Sequence, residues 1–382
     1  MREPLAPVLL ALLLLSAGCA TMPESAAAPT PPPTPSTLAV ADLLLVGFRG
    51  TQVEGNDEIR SLVCDVKVGG VILFERDAAT ETPRNIVSPE QVARLTSDLQ
   101  ALALQCAGRP LLIAVDNEGG AVMRLSARLG YLPSPSAREL GAVGDLALTE
   151  LEARRMGGTL REAGINWNLA PVVDVAVNPA NPVIVAPGRA YSTDADRVTA
   201  QARAFIAGMH AAGILTALKH FPGHGSSRGD SHAGFTDVTD TADPAVELAP
   251  YRALIAEGLA DSVMTAHVFN RRLDPWDPAT LSRFTVNRIL RGWLGYRGVV
   301  VSDDLLMGAI IQNYGLEEAA VLALAGGVDV LLVSHNTGRI EDRAAQRVVM
   351  AVERAMTEGK LSRARVAEAL AHVDALRSRI TR

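Results

Sequence analysis

From about residue 43 onward, short apolar runs alternate with longer amphipathic stretches. The runs cover residues 43–48, 68–74, 110–116, 165–171, 216–222, 262–268, 298–304 and 328–334. They are rich in β-branched residues and nearly continuous in apolar character, as strands buried on both faces are. Between them the apolar positions recur at helical spacing. In 89–106, for example, Val92, Leu95, Leu99 and Leu102 share one face. Similar patterns cover 146–163, 196–212, 245–258, 286–294 and 316–326, with a shorter one over 56–66, and 342–356 and 362–378 close the chain. Eight strands alternating with helices predict an α/β chain folded as a single (β/α)8 barrel of the TIM type. An open, doubly wound sheet is the rival. It would want a glycine-rich dinucleotide fingerprint after a strand, and the glycines at 223, 225 and 229 have one residue too many before the last.

The amino terminus does not fit the alternation. Arg2 precedes an apolar run over 5–17, too short to span a bilayer and matched to the core of a signal peptide. It ends in Leu15-Ser16-Ala17-Gly18-Cys19, small residues directly before a cysteine. That pattern resembles a bacterial lipobox, so residues 1–18 are expected to be removed and Cys19 lipidated. An ordinary secretory signal with an incidental cysteine is the alternative. Residues 19–37 are rich in Pro, Ala, Thr and Ser and cannot bury a core. They read as a tether reaching on the order of 50 Å at ~3.1 Å per residue. The folded domain is then expected over 38–382.

Net charge is −6 with no basic stripe, which argues against nucleic acid as a partner. The hydrophobic share of 48% is ample for one large core. Besides Cys19 only Cys64 and Cys106 occur, too few for a disulfide scaffold. They read as two buried thiols, with one bridge between neighbouring helices as the alternative.

In a barrel all strand carboxyl ends face one pole, so polar groups there converge from distant positions. The densest stretch follows the fifth run: Lys219-His220-Phe221-Pro222-Gly223-His224-Gly225-Ser226-Ser227-Arg228-Gly229-Asp230-Ser231-His232. Its proline and glycines stop both strand and helix, predicting a polar, mobile loop. The third run ends in Asp116-Asn117-Glu118-Gly119-Gly120, with Arg124 beyond it. Asp174 and Arg189 follow the fourth, His267 ends the sixth, Asp303-Asp304 the seventh and His335 follows the eighth. Asp174 reads most simply as a cap or ion-pair partner, and Asp116 with Arg189 could form a structural pair. Asp230 and His232, two apart, would share a face of an extended segment. There the carboxylate fixes the imidazole tautomer and favours its charged form, making His232 a candidate general acid. Asp303 or Asp304 supplies a carboxylate on the far rim, and the two together are the minimal apparatus for glycoside cleavage through a covalent intermediate. A metal set of His220, His224 and His232 would need a helix that Pro222 and Gly223 forbid.

These motifs closely resemble glycoside hydrolase family 3, in its single-domain bacterial β-N-acetylglucosaminidase branch. The matching stretches run from Lys219 to Gly225, Asp230 to His232, Ser302 to Leu305, Gly69 to Phe74, Asp116 to Gly120 and Val263 to His267, in family order. The resemblance itself implies a (β/α)8 barrel with no metal or organic cofactor. It makes Asp303, not Asp304, the nucleophile, His232 the acid/base and Asp230 its partner. Asp116, Arg124, Arg189, Lys219 and His220 match residues that bind the N-acetylglucosamine unit. The Asp-Ser-His triplet separates this branch from the family's β-glucosidases, which take a carboxylate acid from a second domain. Ala121 departs from the family, which usually has Arg after the paired glycines. The expectation is a retaining exo-β-N-acetylglucosaminidase acting on terminal non-reducing N-acetyl-β-D-hexosamine units of peptidoglycan fragments or chitin oligomers. It would be a monomer, lipid-anchored in the cell envelope. A β-glucosidase-like enzyme of the family and a non-catalytic wall-binding lipoprotein are the alternatives. Glu118 stands next in line for the acid should His232 not serve.

Overall fold

The computed structural model describes residues 38–231, 233–338 and 343–380. Eight parallel strands form its centre: β1 (Leu44–Val46), β2 (Gly70–Ile72), β3 (Leu112–Val115), β4 (Trp167–Asn168), β5 (Leu215–Phe221), β6 (Ser262–Thr265), β7 (Val299–Val301) and β8 (Leu331–Val333). Each overlaps one of the predicted runs. They pair in sequence order from β1 to β7, and β8 pairs with β1. The last seam closes through a parallel bridge between Val301 and Val330. The Ser302 amide donates to the Val330 carbonyl at 2.9 Å, and that of Leu305 to Leu332 at 3.0 Å. The sheet is therefore a barrel without a free edge. Within it, buried Trp167 donates its indole N–H to the Ser262 hydroxyl at 3.0 Å, which satisfies a buried polar atom.

Helices cover the outside. The helix Pro89–Ala107 starts where the Ser88 hydroxyl accepts from the Gln91 amide and buries Val92, Leu95, Leu99 and Leu102, the face predicted from spacing. The pattern over 245–258 is split, Pro244–Glu247 followed by Ala249–Ala256. A helix not predicted, Ala137–Val143, starts with a reciprocal capping box between Ser136 and Glu139. The reading of two separate buried thiols is overturned. Cys64 and Cys106 form a disulfide that joins Ser61–Val66 to the end of Pro89–Ala107.

The chain enters the barrel at the pole where strands begin. Asp42, just before β1, pairs with Arg109 at 2.7 Å and with Arg377 of the last helix. This clamp fixes the bottom of the molecule and leaves the opposite pole to the loops.

Candidate active site

At the carboxyl ends of β3 and β5 three charged chains interlock. The Lys219 ammonium lies 2.7 Å from Asp116 Oδ1 and 2.7 Å from Glu118 Oε1. Arg189, from the loop after β4, grips Glu118 with two bonds of 2.8 Å, from Nε to Oε2 and from Nη2 to Oε1. Burial alone would raise the Glu118 carboxyl, but the Arg189 guanidinium and Lys219 ammonium outweigh it and hold it well below the usual carboxylate range. A carboxylate so fixed has no proton to give, so Glu118 is excluded as a substitute acid. The pairing differs from the expected one, because Asp116 goes to Lys219 and Arg189 to Glu118.

Asp174 takes a specific role. It is buried, and its Oδ2 accepts from His220 Nδ1 at 2.7 Å while Oδ1 accepts from the His224 amide at 2.7 Å. The other ring nitrogen of His220 lies 3.3 Å from Arg189 Nη2. A guanidinium only donates, so His220 accepts at Nε2 and donates from Nδ1. Asp174 thus sets the tautomer of His220 and ties β5 to the loop after β4.

The loop after β5 is firm at its root rather than mobile throughout. Residues 223–227 are buried. Gly225 packs so closely that an added Cβ would sit 1.7 Å from the Val175 carbonyl, which explains the glycine. Asn181 Nδ2 donates to the His224 carbonyl at 2.8 Å, and the Ser226 amide to Glu247 at 3.1 Å. Burial pushes the Glu247 carboxyl up to about 7. His224 bonds Ser227 through Nδ1 at 2.7 Å and Ser231 through Nε2 at 3.0 Å, and burial pushes its ring down to about 4. Arg228 and Asp230 are exposed at the tip. There the Asp230 carbonyl accepts from the amides of Ala233 at 3.1 Å and Gly234 at 3.2 Å. These two bonds close a turn onto the Asp230 carbonyl. His232, and with it the expected face shared by Asp230 and His232, lies outside the described residues.

Past β7, Asp303 is half-buried and Asp304 buried. Asp304 accepts from the amides of Ser334 and Leu306, both at 3.1 Å, and from the Ser334 hydroxyl. Burial still pushes its carboxyl up to about 6. The two neighbours thus divide: Asp304 is turned into the backbone between β7 and β8, and Asp303 faces the mouth.

One cavity of about 280 Å³ collects Asp116, Arg124, Arg189, Lys219, His220, Asp230 and Asp303, with Glu118 beside them and Met264 and Leu332 among the apolar walls. Every described residue that the family resemblance assigned to catalysis or sugar binding lines it, whereas Asp304, His267 and His335 do not. Arg124 leans on the Phe74 ring at 5.8 Å and has a buried Nε without a protein partner, a donor left for a ligand. Sequence reasoning gave Glu118 and Asp174 no part in the binding machinery. The available signal was their place at strand ends, and only the fold supplies their partners.

Residues 38–376 match the Glycosyl hydrolase family 3 N terminal domain. A beta-hexosaminidase of Stenotrophomonas maltophilia is 39% identical over 307 residues, spanning 77% of this chain and 83% of its own. Another, of Alkalilimnicola ehrlichii, is 37% identical over 301 residues, with 77% and 80% covered. A glycoside hydrolase family 3 beta-N-acetylglucosaminidase structure from Paenibacillus sp. superposes with a TM-score of 0.81 at 38% identity. That match covers 89% of this chain and 62% of the other, so this chain spans less than two thirds of its length. A beta-N-acetylhexosaminidase from Beutenbergia cavernae superposes with a TM-score of 0.79 at 32% identity, covering 89% and 97%.

Proposed function

Because the chain belongs to glycoside hydrolase family 3, we propose that its strand-end cavity removes terminal, non-reducing N-acetyl-β-D-hexosamine units with retention of configuration. The observation that carries this reading is the meeting, in one cavity, of Asp303 with Asp230 across from the Lys219–Glu118–Arg189 network. The relatives named as hexosaminidases support the choice of sugar. At about 280 Å³ the cavity lies near the lower bound of small-molecule sites, roughly 300 Å³, room for one sugar ring at a chain end rather than a running polymer.

In this reading Lys219, Asp116, Arg124, Arg189 and His220 hold the sugar. Asp303 attacks the anomeric carbon while His232, kept charged by Asp230, protonates the departing oxygen. Water, deprotonated by His232, then attacks the glycosyl–Asp303 ester and frees the sugar, returning the proton to His232. No metal or organic cofactor enters these steps.

The protein works, on this proposal, in the cell envelope, tethered through Cys19, on peptidoglycan fragments or chitin oligomers. The signal-like run, Cys19 and the Pro-rich stretch support it, though residues 1–37 lie outside the described residues. The Cys64–Cys106 bridge supports it as well, since disulfides persist in oxidising compartments. Product analysis after incubation with purified wall fragments and, in parallel, chitobiose tests the activity. Release of N-acetylglucosamine as the β-anomer is expected, and the α-anomer as first product would overturn retention. Cys19→Ser should move the protein from the membrane fraction to the soluble one, and a wild type already soluble would refute the anchor.

A further inference from the structure

Three loops meet on one side of the mouth. The first carries Asp230 and Ser231, the second follows β6, and the third follows β7 with Asp303 at its start. They are stitched together by hydrogen bonds. The Ala309 amide donates to the Ser231 carbonyl at 3.3 Å, and Gln312 Nε2 to the Ala233 carbonyl at 3.4 Å. Thr236 and Asp237 pair with Val268 and Phe269 as short parallel strands.

Two aromatic rings stand out from these stitched loops. Trp276 is 81% exposed and Phe235 is 59% exposed. Neither sits on a loose segment. The Trp276 amide donates to Asp274 Oδ1 at 3.0 Å, and Asp274 is itself held by the Ser282 hydroxyl at 2.7 Å. On the other side the Tyr314 hydroxyl donates to the Trp276 carbonyl at 3.3 Å. The backbone of Trp276 is therefore pinned from both ends while its indole faces solvent. Phe235 rests against Phe269, ring centroids 5.1 Å apart. Another exposed tryptophan, Trp293, is different: it lies on an outer helix with the Arg252 guanidinium 5.1 Å above its ring. Fixed backbone with a bare ring is the arrangement of a preformed contact surface, because little freedom remains to be lost on binding. Exposed apolar patches mark interaction sites and ligand-binding grooves, and Phe235 follows five residues after Asp230, which lines the cavity.

We propose that Trp276 and Phe235 form a platform for the departing part of the substrate, each ring packing on the apolar C–H face of a sugar unit beyond the scissile bond. This rests on the reading of the cavity as a glycosidase site. The leaving group departs on the side of the acid, and Phe235 is on the acid-bearing loop while Trp276 is on the loop bonded to its neighbour. An aromatic ring offers a wide, stiff apolar face to such a ring at small entropic cost.

The test compares N,N′,N″-triacetylchitotriose with methyl β-N-acetylglucosaminide, whose aglycone is too small to stack. Trp276→Ala and Phe235→Ala should each raise KM for the trisaccharide by about tenfold. Both should leave kcat/KM for the methyl glycoside near the wild-type value. Trp276→Phe should restore most of the loss. Equal losses on both substrates would show a merely structural role and overturn the platform. Unchanged kinetics on both would overturn it too, with the activity intact. A wild-type protein that cleaves neither glycoside would refute the reading of the cavity, and the platform with it.

Discussion

On the β3–β5 side of the mouth Lys219 lies against two carboxylates, Arg189 clasps one of them, and Asp174 steers His220, with every one of these chains bonded to another. Across the cavity Asp303 is half-buried and Asp230 exposed, on two loops joined by the Ala309–Ser231 bond. The first side is built before the sugar arrives. Its buried charges neutralise one another, so their desolvation is already offset and a sugar's hydroxyls meet fixed donors and acceptors. The second side keeps its carboxylates near solvent, where a proton donor and a water can come and go. On the proposed reading, holding and reacting fall to regions with opposite burial, and the contrast can be broken from either side.

The largest effect is expected at Asp303. Asp303→Ala should lower kcat by about four to six orders of magnitude, as loss of a nucleophile does, with an unchanged melting curve. Near-normal turnover would end the assignment. Next comes the holding side. Glu118→Ala takes the bidentate carboxylate from buried Arg189 and leaves Lys219 with Asp116 alone, and should cost about 3–5 kcal/mol of stability, read by urea unfolding at pH 7. The pH dependence sharpens this. Because the folded Glu118 carboxyl is lowered, its stabilisation is present above its unfolded value of about 4.3 and is lost as pH falls further. The gap between wild type and variant should therefore narrow in acid.

The acid is predicted to show smaller, substrate-dependent losses. His232→Ala should lose about 10²–10⁴-fold on a disaccharide but much less on a nitrophenyl glycoside, whose leaving group needs little protonation. Asp230→Ala should follow the same order more weakly, and equal losses on both substrates would remove the acid role. The smallest effect is expected at Asp304→Asn. The amide oxygen can still accept from Ser334 and Leu306, and its nitrogen can donate to the Ser334 hydroxyl. Turnover should stay within about fivefold. The Asp304 carboxyl is raised, so the stability its neutral form contributes is present below about pH 4 and lost as pH rises through about 6. Asp304→Asn should flatten that part of the stability curve, and an unchanged slope would show that the carboxyl does not titrate there.

What the sequence disclosed follows the same division. Strands buried on both faces write themselves as apolar runs, so all eight were legible, and their order put the polar motifs at one pole. Ala137–Val143 was missed although its Ser136 and Glu139 carry a capping signature, because a helix this short has little apolar period to find. Asp303 and Asp230 were visible as local motifs. The pairing of Asp116 with Lys219 was not, since it joins residues 103 positions apart and competes with other charged groups at the same rim. The firmness of the loop after β5 was hidden for a like reason: its anchors, Asn181 and Glu247, come from elsewhere in the chain.

The clamp at Asp42 has a consequence for geometry at the scale of the whole particle. Residues 38–43 enter beside Arg109 and Arg377, at the pole where all strands begin, while the cavity opens where they end. Residue 38 is therefore held at the pole opposite the mouth, so the first described residues and the cavity occupy different faces of the barrel.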